Sequence, residues 1–215
     1  MKYPKISHEL SEETGWHIGD GSMNFYKNKK RIKGSYSLRG HISDDRKHYQ
    51  SRIKPFYKEI YGFDISLREM YSIGCFGFQK WSDELVTFKQ KLGLPLGPKL
   101  DISIPDKFRK KYQESLIRGI FDTDGNIYLE NKNKKLYPRI DISNTSMTLI
   151  KQLNNLLQRL KFRSTIYIER REKLGWTDVL RLNVRGEDMV NRWFKIINPQ
   201  NHKHIGKYQF YVDNS

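Results

Sequence analysis

Cysteine is nearly absent from this chain: Cys75 is the single thiol in 215 residues. That excludes an intramolecular disulfide framework and leaves too few thiols for a structural zinc site. No stretch approaches the roughly 20 apolar residues that cross a bilayer, and Met1-Lys2-Tyr3-Pro4-Lys5 leads into no apolar core of signal-peptide length. There is no low-complexity tail. Acid is scarce as well, with 24 Asp and Glu against 40 Lys and Arg, a formal charge of +16 and a pI near 9.8. These deficits predict a soluble intracellular protein, in a prokaryotic cytoplasm or an organelle matrix, with no membrane partner. Its charge predicts a polyanionic ligand drawn by long-range attraction and counterion release, nucleic acid first among them. His17, His41 and the His202-Lys203-His204 run match no zinc spacing and read as surface or packed groups.

What the chain does have is an internal repeat. Helix-like segments end in Gly15-Trp16-His17-Ile18-Gly19-Asp20-Gly21 and Gly119-Ile120-Phe121-Asp122-Thr123-Asp124-Gly125, with their terminal Asp-Gly pairs 104 residues apart. Each is followed by a strand, a Lys/Asn-rich turn and a second alternating strand: 22–26, 27–33 and 35–42, then 126–130, 131–135 and 137–143. Helical spacing covers 46–61 and 147–161, the latter through Leu149, Ile150, Leu153, Leu156, Leu157 and Leu160. Two further strands per half are predicted at 64–69 with 71–78 and at 165–170 with 177–184. Helices at 82–92 and 186–197 close the halves. The fold class is therefore α+β, one αββαββα unit written twice. Pro95, Pro98 and Pro105 mark the link, which divides the chain into 1–106 and 107–215. Both halves are basic, 18 basic against 13 acidic residues before the division and 22 against 11 after it.

An aspartate at a helix C-terminus faces the negative end of the macrodipole and costs roughly 0.3–1 kcal/mol at an exposed site, so stability alone does not select it. Gly21 and Gly125 are expected as left-handed caps. Gly15 and Gly19, and Gly119 and Thr123, stand at i, i+4 spacing, which permits two helices to approach closely. Paired side by side, these helices would bring Asp20 and Asp124 together at one end. Converging carboxylates repel unless protonated or bridged by cations, and a hard divalent ion with oxygen ligands meets that need while also binding phosphate.

The segment Leu116-Ile117-Arg118-Gly119-Ile120-Phe121-Asp122-Thr123-Asp124-Gly125 resembles the LAGLIDADG motif. Thr14-Gly15-Trp16-His17-Ile18-Gly19-Asp20-Gly21 is a looser copy, with Trp16 and His17 where aliphatic residues are usual. In order and spacing nearly the whole chain is similar to a monomeric, two-motif LAGLIDADG homing endonuclease. The resemblance implies two antiparallel sheets forming a saddle, with the motif helices at the central interface. It also implies metal-dependent staggered cleavage of a long asymmetric DNA target, leaving 3′ overhangs. Asp20 and Asp124 would ligate Mg²⁺, assisted by the Gly19 and Thr123 carbonyls. Mn²⁺ or Ca²⁺ would occupy the same sites, Ca²⁺ without turnover. The family keeps a lysine near each centre; the surrounding segments nominate Lys99 and, of Lys203 and Lys207, Lys207. The expected partner is double-stranded DNA, with intron RNA a further one, and the expected state a monomer. The alternative on the same fold is an RNA maturase or a DNA-binding regulator that does not cleave. Met1 is no intein nucleophile and no His-Asn pair closes the chain, so a free-standing, intron-encoded enzyme is expected.

Strand alternation nominates the DNA-facing side chains. In the first half they are Asn24, Tyr26, Ser35, Ser37, Arg39, His41, Ser66 and Arg68, with Lys27, Lys29, Lys30, Arg31 and Lys33 around the turn. In the second half they are Tyr128, Arg139, Asp141, Ser143, Tyr167, Arg170, Arg181, Asn183 and Arg185, with Lys132 and Lys134 at the turn. The turn lysines suit phosphates, and the strand residues base edges.

Overall fold

The computed structural model describes residues 3–28, 31–171 and 175–214. Lys29 and Lys30, nominated above for phosphate contact, lie outside the described residues. Helix α1 (His8–Asp20) starts where Ser7 accepts a hydrogen bond from Leu10 N at 3.2 Å and leads without a loop into β1 (Gly21–Asn28) and β2 (Arg31–His41). A helical rod follows in three parts: α2 (Arg46–His48), a π-turn (Tyr49–Ile53) and α3 (Lys54–Tyr61). Pro55, with no N–H to give, stands just past the π-turn. Strands β3 (Arg68–Met70) and β4 (Cys75–Trp81) and helix α4 (Asp83–Leu92) complete the half.

The second half repeats the order with α5 (Gln113–Asp124), β5 (Gly125–Lys132), β6 (Lys135–Asn144), α6 (Met147–Arg159), β7 (Ser164–Glu169), β8 (Val179–Arg185) and α7 (Glu187–Ile196). Each half forms one antiparallel sheet, ordered β1-β2-β4-β3 and β5-β6-β8-β7. The ladders correspond closely. Gly21 stands opposite Leu38 and Gly125 opposite Ile142; Leu38 stands opposite Phe78 and Ile142 opposite Leu182. The 104-residue offset of the motif aspartates therefore persists through β1, β2 and β4, and again at the starts of α4 and α7.

Three expectations need correction. Strand β3 is only Arg68–Met70, and Tyr71–Ile73 is a 3₁₀ turn closed by Gly74 at φ 62°. Left-handed geometry at Gly74 makes a tight connection that needs fewer paired residues than periodicity assigned. Ser66 consequently sits exposed in an irregular segment outside any strand. The unit is also not simply doubled, because an eighth helix, α8 (His202–Asp213), follows α7 with Asn201 as its N-cap. Lastly, Gly21 (φ −78°) and Gly125 (φ −85°) are extended, not left-handed. Glycine is required there by close approach: a Cβ on Gly21 would meet His17 Cα at 2.6 Å, and one on Gly125 would meet Phe121 O at 2.5 Å.

Helices α1 and α5 cross backbone to backbone. A Cβ on Gly119 would stand 2.1 Å from Glu12 O and 2.9 Å from Gly15 Cα. One apolar core runs through both halves, from Trp16, Tyr36 and Phe78 to Phe121, Ile142 and Trp193. In α6, Leu149, Ile150, Leu153, Leu156 and Leu157 are all buried, as their spacing predicts; each contributes about 1.5–3 kcal/mol by leaving water.

Inside the first half Glu13 is fully buried, accepting hydrogen bonds from Tyr61 at 3.0 Å and from Tyr57 and Tyr36, and paired with the buried Lys89 ammonium. A buried ion pair contributes little net stability, yet removing one partner strands the other charge. Lys89→Met is therefore expected to destabilise the fold by roughly 3–5 kcal/mol, read from the midpoint of urea unfolding. A loss below about 1 kcal/mol, the scale of an exposed pair, would refute the stranded-charge account.

Candidate active site at the helix seam

The glycine seam decides where the two motif acids end up. A Cβ on Gly19 of α1 would lie 2.0 Å from Thr123 Oγ1 and 3.3 Å from the Asp124 carboxyl carbon, so the end of α5 rests on the end of α1. Asp20 and Asp124 meet there, half-buried at the start of β1 and β5. Tyr49 donates to Asp20 Oδ2 at 2.9 Å, and the Asn144 amide donates to Asp124 Oδ2 at 3.4 Å. The π-turn begins at the residue that delivers the tyrosine hydroxyl.

Burial first, then the negative charges of Asp124 and Asp45, push the Asp20 carboxyl up to about 8. Burial also raises Asp124, against the pull of the Lys99 cation and the Asn144 hydrogen bond. At neutral pH the junction thus holds a proton or needs a cation. Among the described residues no three His, Cys, Asp or Glu side chains form a metal cluster. The donor set is two carboxylates, which fits a hard divalent ion that shares phosphate and water oxygens.

The lysines stand differently from one another. Lys99 Nζ donates to the carbonyls of His17 at 3.1 Å, Ile18 at 2.7 Å and Gly19 at 2.5 Å, at the C-terminal end of α1. Burial lowers its proton affinity, and Asp124 and Asp20 raise it. In the other half Lys203 Nζ reaches Thr123 O at 3.5 Å and pairs with Asp45 Oδ1 at 2.8 Å. Lys207, the residue favoured by sequence, is exposed and donates to Asn126 Oδ1 at 2.9 Å. It lies four residues beyond Lys203 in α8. Lys203 stands 104 residues from Lys99, just as Asp124 stands from Asp20. The Gly19 and Thr123 carbonyls, expected beside a metal, each lie against a lysine ammonium.

Asp45 and Asn201 were not foreseen. Both are buried. Neither motif contains them, and only tertiary packing of the 42–45 turn against the start of α8 makes them neighbours. Asp122, also buried, accepts from the backbone N–H groups of Gln200 and Asn201 at 3.1 Å, and burial pushes its carboxyl up to about 7.

The sheet faces opposite the core hold the nominated strand residues, but not all are free. Tyr26 (50% exposed), Lys27, Arg31, Lys33, His41 and Arg68 are exposed, while Asn24 and Arg39 are half-buried. Ser35 and Ser37 are buried instead of open; these short side chains lie at the sheet centre, and Gln79 donates to Ser35 Oγ at 2.8 Å while accepting from Arg68 at 3.1 Å. Gln79 and Trp81 share this face, because β4 runs on to Trp81, past residue 78 where the alternation in sequence ends.

In the second half Asp141 and Asn183 are buried, joined to each other at 3.1 Å and covered by Arg181, which donates to Asp141 at 2.9 Å and to Glu169 at 2.6 Å. Arg139 pairs with Glu130, Arg170 with Asp178 at 2.9 Å and Lys132 with Glu130 at 3.3 Å. Tyr128, Tyr167, Lys134 and Arg185 are exposed, and Ser143 is half-buried. Among the described residues, this sheet ties Arg139, Arg170, Arg181 and Lys132 to its own carboxylates.

The architecture, two four-stranded antiparallel sheets with motif helices between them, is that of the LAGLIDADG homing endonucleases. Residues 111–198 match the family model for a LAGLIDADG-like domain. Among solved structures, mesophilic variants of the homing endonuclease I-DmoI superpose at TM-score 0.66 with 16% identity, over 88% of this chain and 95% of theirs. I-DmoI in complex with DNA and Ca gives 0.64 and 17%, over 88% of each chain. The LAGLIDADG homing endonuclease I-GzeII in complex with a DNA target gives 0.62 and 10%, over 97% of this chain and 89% of that one. No curated protein sequence matches the chain. No helix among the described residues is long and apolar enough to cross a membrane.

Proposed function

We propose that this chain is a site-specific, divalent-metal-dependent DNA endonuclease that acts as a monomer on double-stranded DNA. It makes staggered cuts with 3′ overhangs in a long asymmetric target and is intron-encoded. The observation that carries the reading is the convergence of Asp20 and Asp124 at the foot of the glycine seam, where burial of both, and for Asp20 the negative charge of Asp124, favours a proton or a bound cation. Likeness to structures whose DNA complexes contain Ca or Mn supports it.

Asp20 and Asp124 would hold Mg²⁺, or Mn²⁺ in its place, with Ca²⁺ binding but not supporting turnover. When bound, such an ion supplies charge relief on the phosphate and a more acidic water. The chain's own groups do the rest. Tyr49 and Asn144 fix the carboxylate rotamers through the hydrogen bonds they donate. Lys99 and Lys203 set positive charge beside the two centres, where each would offset phosphate charge or hold a water proton in balance. The Gly19 and Thr123 carbonyls turn toward an ion only if those ammonium groups share or release them. The exposed Lys27, Arg31, Lys33, Lys132 and Lys134 grip phosphates. The two sheet faces differ residue by residue, so the target read by them is asymmetric.

Incubation with supercoiled plasmid carrying the target should give linear product in Mg²⁺ and none in EDTA. Binding without cleavage in both Mg²⁺ and Mn²⁺ would instead favour a regulator or maturase on this fold. DNA affinity should also fall steeply with salt. For six to ten phosphate contacts the loss between 50 and 200 mM is about 10³–10⁵-fold, measurable by fluorescence anisotropy in Ca²⁺. A flat salt response would remove the basic strands from the interface.

A further inference from the structure

The two centres are not equivalent, and the difference comes from the 42–45 turn. Asp45 occupies the N-cap position of α2, yet its carboxylate makes no cap hydrogen bond. It turns back instead, accepting from His41 N at 2.8 Å through Oδ2, in space kept open by Gly40, whose Cβ would stand 2.8 Å from that oxygen. Its other oxygen faces the opposite half of the molecule. Asp45 Oδ1 accepts from Asn201 Nδ2 at 2.7 Å and pairs with Lys203 Nζ at 2.8 Å.

Asn201 holds three elements at once. Its amide also donates to Asp122 O at 2.7 Å, its backbone N–H donates to Asp122 Oδ1 at 3.1 Å, and its own Oδ1 accepts from Lys203 N at 3.1 Å. The first turn of α8 is thereby pinned to α5 and to the first half together. At the matching helix start in the second half stands Ser146. Its hydroxyl accepts from Leu149 N at 3.1 Å, caps its own helix and donates to Ile102 O at 2.9 Å. Lys99, the counterpart of Lys203, is held by three backbone carbonyls instead.

We propose that Asp45 is a positioning residue that reaches across from the first half to fix Lys203 at the second centre, so that cutting of one DNA strand depends on it and cutting of the other does not. A side chain that orients an active-site group through an ion pair changes rate roughly 10–100-fold on removal without touching the substrate. With Lys99 held by main chain, one centre is locked by the helix it caps and the other by a tie between halves. The inference rests on the nuclease reading, but its geometry concerns the chain alone.

The test uses the full chain and a duplex target labelled on both strands, with single-turnover rates in Mg²⁺ for each strand. Lys203→Met identifies the strand its centre serves. Because the Asp45 charge also bears on Asp20, the readout is the difference between strands: Asp45→Asn is expected to slow that strand roughly tenfold or more relative to the other, and so accumulate nicked duplex. The double variant should be no slower than Lys203→Met alone, because Asp45 acts through that lysine. Equal slowing of both strands, or multiplying effects in the double variant, overturns the proposal.

A second readout needs no cleavage: acetylation of Lys203 by acetic anhydride, followed by peptide mass spectrometry in metal-free protein. Release from Asp45 should speed labelling of Lys203 relative to the other lysines, and an unchanged rate also overturns the proposal. If the unaltered protein fails to cut, the nuclease reading fails and labelling alone decides the positioning role. Asp45→Ser, which installs the residue found at the matching helix start, serves if the asparagine variant does not fold.

Discussion

Asp20→Asn and Asp124→Asn should each abolish double-strand cleavage while leaving DNA affinity within about tenfold, since phosphate and base contacts carry most of the binding. The same substitutions are expected to stabilise the metal-free protein. An unfolded aspartate ionises near its ordinary value of 3.8, whereas folded Asp20 keeps its proton up to about 8. Between these the folded state binds more protons than the unfolded one, so stability falls as pH rises through that window. Asparagine removes both the buried charge and its repulsion from Asp124. Melting of metal-free Asp20→Asn should therefore be higher at pH 8 than that of the unaltered chain, and the gap should close toward pH 4. Gain of stability together with loss of cleavage separates a functional carboxylate from a structural one. Retained cleavage, or destabilisation at pH 8, would remove Asp20 from the centre.

The second large effect concerns the seam. A methyl group on Gly119 would meet Glu12 O at 2.1 Å and Gly15 Cα at 2.9 Å, both backbone atoms that no rotamer change can move. Gly119→Ala must part the two helices, and overpacking of this kind costs about 3 kcal/mol or more. It should also separate Asp20 from Asp124. Gly206, in the middle of α8, has nothing within 4 Å of its Cβ position. Gly206→Ala should accordingly stabilise by roughly 0.5–1 kcal/mol through helix propensity. Urea midpoints of the two alanine variants moving in opposite directions would show that the seam, not glycine content, sets the sensitivity. Similar midpoints would mean that α1 and α5 pack more loosely than the geometry requires.

Much of this was legible in the sequence because the repeat is written in residues that physics constrains twice. Gly15 and Gly119 carry the close approach, Asp20 and Asp124 the terminal charge, and the alternation of Tyr36 and Leu38 the buried sheet face. What stayed hidden depends on contacts that no local pattern encodes. Helix α8 has exposed Ile205, Phe210 and Val212 among its apolar residues, so it carries no clean amphipathic stripe. The short β3 follows from the turn at Gly74, whose left-handed geometry shows only once the chain is folded. Alternation also assigns a face without saying whether a side chain there is free. Ser35 lies under Gln79, and Asp141 is tied to Arg181 and Asn183. The constant 104-residue offset from Lys99 also sets Lys203 apart from Lys207, whereas the surrounding segment nominates Lys207.

The most direct measurement is selection of cleaved molecules from a randomised duplex library in Mg²⁺, with both ends of every product sequenced. Recovery of one long asymmetric sequence, cut on both strands with 3′ overhangs by the unaltered chain and by neither Asp20→Asn nor Asp124→Asn, is the predicted result. Tight DNA binding with no cleaved product in Mg²⁺ or Mn²⁺, or the same products from the asparagine variants, would contradict it.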